Sequence, residues 1–363
     1  NISLLNFKNY SDADVQFSKT VNAFVGLNGS GKTNLLDAVH YLCLCKSYFN
    51  PIDSQQIRSN EDLFLIQGDF DKNGKNEKIS CGLKRNQKKQ FKRNKKEYVK
   101  LADHIGHFPL VMISPYDVSL IMEGSEERRK FVDNVISQTD MAYLDELILY
   151  NRFLINRNAL LKHVAVTRKL DADLLQIYNE QLITSGERIF EKRKAFLAEF
   201  IPYFDLHYRF ITGGEEAVEL VYLSQLTESK FSDLLAQSIE KDKTLERTTT
   251  GIHKDELNFT LDGMQLKKFG SQGQQKSFLI ALKLAQYTYL QKNKGYKPLL
   301  LLDDIFDKLD DSRIRKLMEM VSHHDFGQIM ITDTGKERIL SVFESINVEV
   351  KLFDVAKGMI SNA

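Results

Sequence analysis

The sequence predicts an α/β fold: a parallel sheet with helices on it, divided along the chain by an inserted helical lobe. Three short segments, far apart but in a fixed order, carry that expectation. Gly26-Leu27-Asn28-Gly29-Ser30-Gly31-Lys32-Thr33 fits the phosphate-binding loop pattern, Ser271-Gln272-Gly273-Gln274-Gln275 precedes a helix-like stretch, and Leu299-Leu300-Leu301-Leu302 is an apolar run ending in Asp303-Asp304.

Val21 to Val25 is a short apolar run suited to a buried strand. The glycines after it let the backbone turn tightly, so that successive N–H groups form an anion nest. Asn34 to Leu44 continues as a helix whose N-terminus faces that nest. Strand, loop and helix in this order are the context the motif requires, and Asn28, Gly29, Ser30, Gly31, Lys32, Thr33 and Asn34 are the expected nucleotide contacts, with Lys32 on the β- and γ-phosphates of ATP.

Four leucines without a polar interruption suggest a strand buried on both faces of a parallel sheet, with carboxylates at its C-terminal end, where α/β folds place ligands. Asp303 and Thr33 are the expected Mg²⁺ ligands, and Asp304 is the candidate to orient or deprotonate the attacking water. Alone, the segment would better describe a core strand ending in a solvated acidic turn; the phosphate loop upstream reverses that preference in favour of the Walker B reading.

The segment at Ser271 stands just upstream, where ABC-type ATPases carry their signature. In that family the signature serine and the helix behind it reach the γ-phosphate held by the opposite subunit. The likeness implies that Ser271, Gly273 and Gln274 contact nucleotide across an ATP-dependent, head-to-tail homodimer, with Ser271 joining Lys32 and Asp304 as catalytic groups. Asp307-Lys308-Leu309-Asp310 stands where the family's D-loop lies. Aspartate at 304 is one methylene shorter than the glutamate usual in that family, which points to slow turnover.

At 363 residues and 42% hydrophobic content the chain can bury a large core, and its length suggests two or more domains. A formal charge of +1 means that any nucleic-acid affinity must come from local patches. Cys43, Cys45 and Cys81 lack metal-ligand spacing and suit buried reduced thiols. No apolar run approaches membrane-span length and no signal peptide is visible, although the residues begin without an initiator Met; a cytoplasmic protein with no membrane partner is the expectation.

The first hundred residues alternate in strand-like fashion at Asp62 to Asp71, Glu77 to Lys84 and Leu110 to Ser114, whereas Tyr143 to Leu161 and Leu174 to Phe200 have amphipathic helical spacing. Ile201-Pro202 is expected to end the second helix. Strand patterns return at Val218 to Tyr222, Leu257 to Leu261 and Gln328 to Thr332. The expected organisation is therefore an ABC-type P-loop ATPase head over 1–120, an inserted mainly helical lobe over 121–245, and the returning head over 246–363.

Longer segments add specificity. Leu5-Asn6-Phe7-Lys8-Asn9-Tyr10, Ser114-Pro115-Tyr116-Asp117, Glu123-Gly124-Ser125, Arg128-Arg129-Lys130-Phe131-Val132-Asp133, Arg157-Asn158-Ala159-Leu160-Leu161-Lys162 and Gly251-Ile252-His253-Lys254-Asp255 together resemble the RecF family of SMC-like bacterial repair ATPases over nearly the whole chain. The resemblance implies an ATP-dependent clamp on duplex DNA, particularly at junctions with single strands. Partnership with RecR and RecO in loading RecA, and release by hydrolysis, are implied as well. Two departures stand out: no glutamine occurs at the Ser114-Pro115 turn, and Thr332-Asp333-Thr334 occupies the place of a transporter's switch histidine. His323 and His324, before that strand, read as surface residues.

For DNA, the sequence offers one basic stretch between Lys84 and Lys100, in which Lys88, Lys89, Lys92, Arg93, Lys95 and Lys96 are the candidate phosphate contacts. A solvated hairpin tip is the equal alternative. Arg128 and Arg129 suit intramolecular pairing more than a DNA or nucleotide contact, Lys8 a strand edge or the nucleotide, and His253 with Asp255 a structural turn, the dimer face or the site. The rival functions are a transporter ATPase subunit, disfavoured by the long stretch between Lys32 and Ser271, and an ATP-gated scaffold with another partner.

Overall fold

Val21–Val25 is buried at every residue and occupies an interior position of a six-stranded sheet. Across that sheet the order is Met359–Asn362, Val350–Ala356, Val21–Val25, Ile329–Asp333, Leu299–Leu302, Leu110–Ile113; every pairing is parallel except that of Met359–Asn362. Leu110–Ile113 and Leu299–Leu302 are uninterrupted apolar runs, as suits strands covered on both faces. The parallel register pairs Val25 with Asp333 and Leu302 with Ile113, so the phosphate loop, the acidic pair and the Ser114 turn all emerge from one edge. The structure, a computed structural model, describes residues 1–362 apart from 215, 307–310 and 324.

The chain divides into two compact units: Asn1–Val118 with Phe210–Gly213 and Lys276–Ala363, and Ser119–Arg209 with Gly214–Gln275. In the first unit a second, antiparallel sheet is built mainly from Tyr10–Val15, Ile2–Phe7, Leu63–Lys72 and Lys75–Lys84. Helix Lys32–Leu44 packs against strands of both sheets, and Leu35, Leu36, Val39 and Leu42 join Phe7, Phe64 and Met330 in the core. The helix stops where Cys45 takes a left-handed conformation, its N–H returning to Tyr41 O at 2.9 Å.

The second unit holds helices Ser125–Thr139, Met141–Thr167 and Phe231–Leu245, most of Ala172–Thr212, and a three-stranded antiparallel sheet of Val218–Leu223, Glu256–Leu261 and Met264–Gln265. It therefore runs beyond residue 245: strand Glu256–Leu261 and the Ser271 segment, assigned from the sequence to the returning head, cluster with the helices. Two buried arginines hold it together. Arg157 donates to Asp242 and Thr248, each at 2.8 Å, and to Asn179 at 2.7 Å; Arg193 reaches Asp133, Asp255 and the Ile252 carbonyl at 2.8–2.9 Å.

Ile201-Pro202 does not end its helix, which runs unbroken to Thr212. Proline costs about 3 kcal/mol in a helix interior. Phe196, Phe200, Phe204 and Tyr208 recur every fourth residue and are all buried, and burial at about 1.5–3 kcal/mol per large side chain outweighs that cost.

Candidate nucleotide-binding site

The phosphate loop is held from behind by the turn at Asn9-Tyr10. Asn9 Nδ2 donates to Ser30 O at 3.0 Å and its Oδ1 accepts from Asn34 at 2.7 Å, while the Tyr10 hydroxyl donates to Gly31 O at 2.9 Å. Gly31 has φ 120°, and a Cβ there would lie 2.5 Å from Asn9 Nδ2 and 3.0 Å from the Tyr10 hydroxyl, so this close approach requires glycine. Asn9 and Tyr10 thus brace the loop, and Asn34 acts through Asn9. Lys8 forms an ion pair with buried Asp37 at 2.5 Å.

Lys32, 4% exposed, curls back over the loop and donates to Gly26 O at 2.8 Å and Leu27 O at 3.1 Å. Ser30 Oγ is buried without a hydrogen-bond partner, whereas Asn28 is exposed. A buried ammonium on carbonyls and an orphaned hydroxyl, inside a glycine loop that opens a helix, fit a phosphate chain.

Asp303 Oδ1 accepts the Thr33 hydroxyl at 2.8 Å and the Thr332 hydroxyl at 2.9 Å, and the Ser114 hydroxyl lies 3.4 Å from its Oδ2. Burial pushes the Asp303 carboxyl above its ordinary range, opposed by the hydrogen bonds from Thr33 and Thr332. A cation would favour the ionised form. Thr33 and Asp303, already in contact, fit Mg²⁺; among the described residues no group of three or more His, Cys, Asp or Glu side chains gathers to hold a metal. The remaining oxygens would come from phosphate and water, as is usual for this ion. Asp304 has φ 45°, and its amide donates to Thr332 Oγ1 at 2.9 Å.

Thr332, Ser114, Asn9 and Tyr10 are functional neighbours that sequence reasoning did not assign to the site. They come from strand ends and turns hundreds of residues apart, and only the register of the sheet brings the first two to Asp303. In the switch-histidine position, Asp333 accepts Arg338 Nη2 on both oxygens at 2.7 and 2.8 Å. His323 is exposed; His324 and the expected D-loop, Asp307 to Asp310, lie outside the described residues.

The signature segment belongs to the second unit. Ser271 and Gln274 form a reciprocal cap at the start of helix Gln272–Lys294: Gln274 N–H donates to Ser271 Oγ at 3.2 Å, and Ser271 N–H donates to Gln274 Oε1 at 2.7 Å. Gln274 Nε2 also donates to Glu216 at 2.8 Å, so this side chain is engaged in holding the cap. Ser271 is exposed and Gly273 half-buried.

The basic stretch forms strands Gln90–Arg93 and Lys96–Glu97 at the edge of the antiparallel sheet. Its candidates do not behave alike. Lys89 pairs with Asp53 at 2.8 Å and donates to Cys45 O at 2.6 Å, and Arg93 clasps Glu77 at 2.5 and 3.0 Å. Lys88, Lys95 and Lys96 are exposed, with Lys92 intermediate. Arg128 pairs with Glu256 at 2.9 Å, Arg129 donates to Asp255 O at 2.7 Å, half-buried His253 bonds the Tyr150 hydroxyl, and buried Asp255 accepts from Tyr222 and Arg193. Intramolecular pairing is thus what these four residues do. Among the described residues no helix is long and apolar enough to cross a membrane.

A family model described as the RecF/RecN/SMC N terminal domain matches residues 1–360. The chain is 54% identical to the DNA replication and repair protein RecF of Flavobacterium johnsoniae, over 98% of this chain and 99% of that one. It is 49% identical to the protein so named in Bacteroides thetaiotaomicron, over 99% and 97%. A solved structure of the recombination mediator protein RecF-ATP in the RecFOR pathway matches with TM-score 0.90 at 30% identity, covering 100% of this chain and 96% of that chain. The Smc head domain of Pyrococcus furiosus, at TM-score 0.58 and 16% identity over 100% and 94%, shares the fold. With the phosphate loop, the acidic strand end and the capped signature helix in place, these likenesses agree: the chain is a DNA replication and repair protein of the RecF family, with an SMC-like ABC ATPase fold.

Proposed function

We propose that the chain is an ATP-dependent DNA clamp of recombinational repair, dimerising on duplex or gapped DNA and released by slow, DNA-dependent hydrolysis. The observation that carries the ATPase reading is the contact of Thr33 with Asp303 beside a glycine loop that buries Lys32. ATP supplies the phosphoryl group to be transferred and Mg²⁺ neutralises its charge. Lys32 and the loop amides bind the phosphates, and Thr33 and Asp303 hold the cation. Asp304 orients the attacking water and accepts its proton. Ser271 and the N-terminus of its helix, with Gly273, serve the nucleotide of a second copy, while Gln274 fixes Ser271.

For DNA we assign Lys88, Lys92, Lys95 and Lys96, whereas the charges of Lys89 and Arg93 are met by Asp53 and Glu77. Family membership supports RecR and RecO as partners and RecA loading as the outcome. Sedimentation velocity with a gapped duplex, with and without Mg-ATP, tests the reading. A DNA-bound dimer should form only with ATP and vanish in Lys32→Ala; a dimer indifferent to DNA would favour an ATP-gated scaffold for another partner.

A further inference from the structure

The turn that lacks a glutamine carries a different connection. Ser114, whose hydroxyl lies 3.4 Å from Asp303 Oδ2, donates its amide to Asp117 Oδ2 at 2.8 Å. The other oxygen of Asp117 forms an ion pair with Lys283 Nζ at 2.6 Å and accepts the Tyr48 hydroxyl. Lys283 also donates to that hydroxyl at 3.2 Å and stands over the Tyr48 ring, 5.5 Å from its centroid. Tyr48 in turn donates its amide to Asp37 of the phosphate-loop helix at 2.7 Å. All these residues belong to the first unit, and the Asp117 and Lys283 side chains are 4% and 6% exposed.

A buried ion pair adds little net stability, because desolvation offsets most of its attraction, and its best-attested use is to fix register. This pair fixes the middle of helix Gln272–Lys294, twelve residues after Ser271. From Lys276 onward this helix belongs to the same unit as Asp117 and Asp303, so a shift at Lys283 is carried along that stretch.

Resting on the ATPase-dimer reading, we propose that Asp117 and Lys283 are positioning residues that couple the metal site to the signature helix through Ser114. When Asp303 turns to a cation it alters its contact with Ser114, the turn shifts, and the Asp117 carboxylate carries Lys283 and its helix with it.

The test compares Asp117→Asn/Lys283→Gln, which removes both charges together, with Lys283→Arg, which keeps the pair. Tyr48→Phe, which keeps the ring and both charges, guards against loss of fold. Binding of a fluorescent ATP analogue, kcat and KM with Mg-ATP on gapped duplex, and hydrogen exchange of amides 276–290 are read for the full chain. The neutral double variant should bind nucleotide within about threefold of wild type yet turn over roughly tenfold more slowly, and its helix should lose nucleotide-dependent protection. Lys283→Arg should recover most of the rate, and Tyr48→Phe should fall between. A double variant that turns over and protects like wild type overturns the proposal, as does Lys283→Arg failing equally. A wild type that binds Mg-ATP but shows neither turnover nor helix protection overturns the ATPase-dimer reading itself, and the coupling with it.

Discussion

Thr332 donates its hydroxyl to Asp303 Oδ1 and accepts the amide of Asp304, both at 2.9 Å, so one side chain on the neighbouring strand fixes the Asp303 carboxylate and the backbone of Asp304 together. Asp304 keeps its left-handed φ of 45° under this restraint.

Thr332→Val should therefore lower kcat by roughly ten- to a hundredfold with little change in KM, since the phosphate loop is untouched. Thr332→Ser, which retains the hydroxyl, should stay near wild type. Steady-state hydrolysis of Mg-ATP distinguishes them.

Asp304→Asn should leave nucleotide binding and ATP-dependent dimerisation intact while stopping turnover. Persistent hydrolysis would show that another group takes the water's proton.

Replacing Lys88, Lys92, Lys95 and Lys96 with Gln should weaken binding to duplex DNA and flatten its salt dependence, by about 0.9 in log–log slope for each phosphate that is no longer neutralised. Arg93→Gln, whose partner is Glu77, should change the slope far less. Titrations at several salt concentrations provide the comparison.

Arg157→Met should destabilise the protein by about 3–5 kcal/mol, because it strands the buried Asp242 carboxylate without its partner. Urea unfolding measures this, and removing the acid as well with Asp242→Leu should recover part of the loss.

His40 and His104 are buried and His253 is half-buried, and desolvation is the chief cause that pushes their pKa down to about 4 from 6.5. His104 bridges the Leu42 carbonyl at 2.7 Å and the Tyr98 hydroxyl at 3.0 Å. The unfolded chain binds protons that the folded one refuses, so this stability is intact above about pH 6.5 and lost as pH falls towards 4. The urea midpoint should decline over that window, and less steeply in His104→Gln.

The parts of the site written as contiguous residues could be read from the sequence. The phosphate loop needs its glycines, lysine and threonine in one run, and the four leucines before Asp303 announce a strand covered on both faces. Asn9, Ser114 and Thr332 carry no such mark, because an isolated hydroxyl or amide gains meaning only when the register brings it to Ser30 or Asp303. The basic run showed the opposite error of reading: its charges looked equivalent, yet Asp53 and Glu77, distant in sequence, neutralise Lys89 and Arg93. Pro202 misled because a local backbone penalty was weighed without the aromatic burial that continues through Tyr208.

The reciprocal cap at Ser271 sets the orientation in which this serine can meet a partner. Its oxygen already takes the Gln274 amide on one lone pair, which leaves its proton and a second lone pair open to a partner. The residue is exposed, so this proton can be given away while the Gln274 amide keeps the oxygen in place. An oxygen-rich anion can take that proton without disturbing the cap, so the geometry that holds the helix start together also presents a donor already fixed in place.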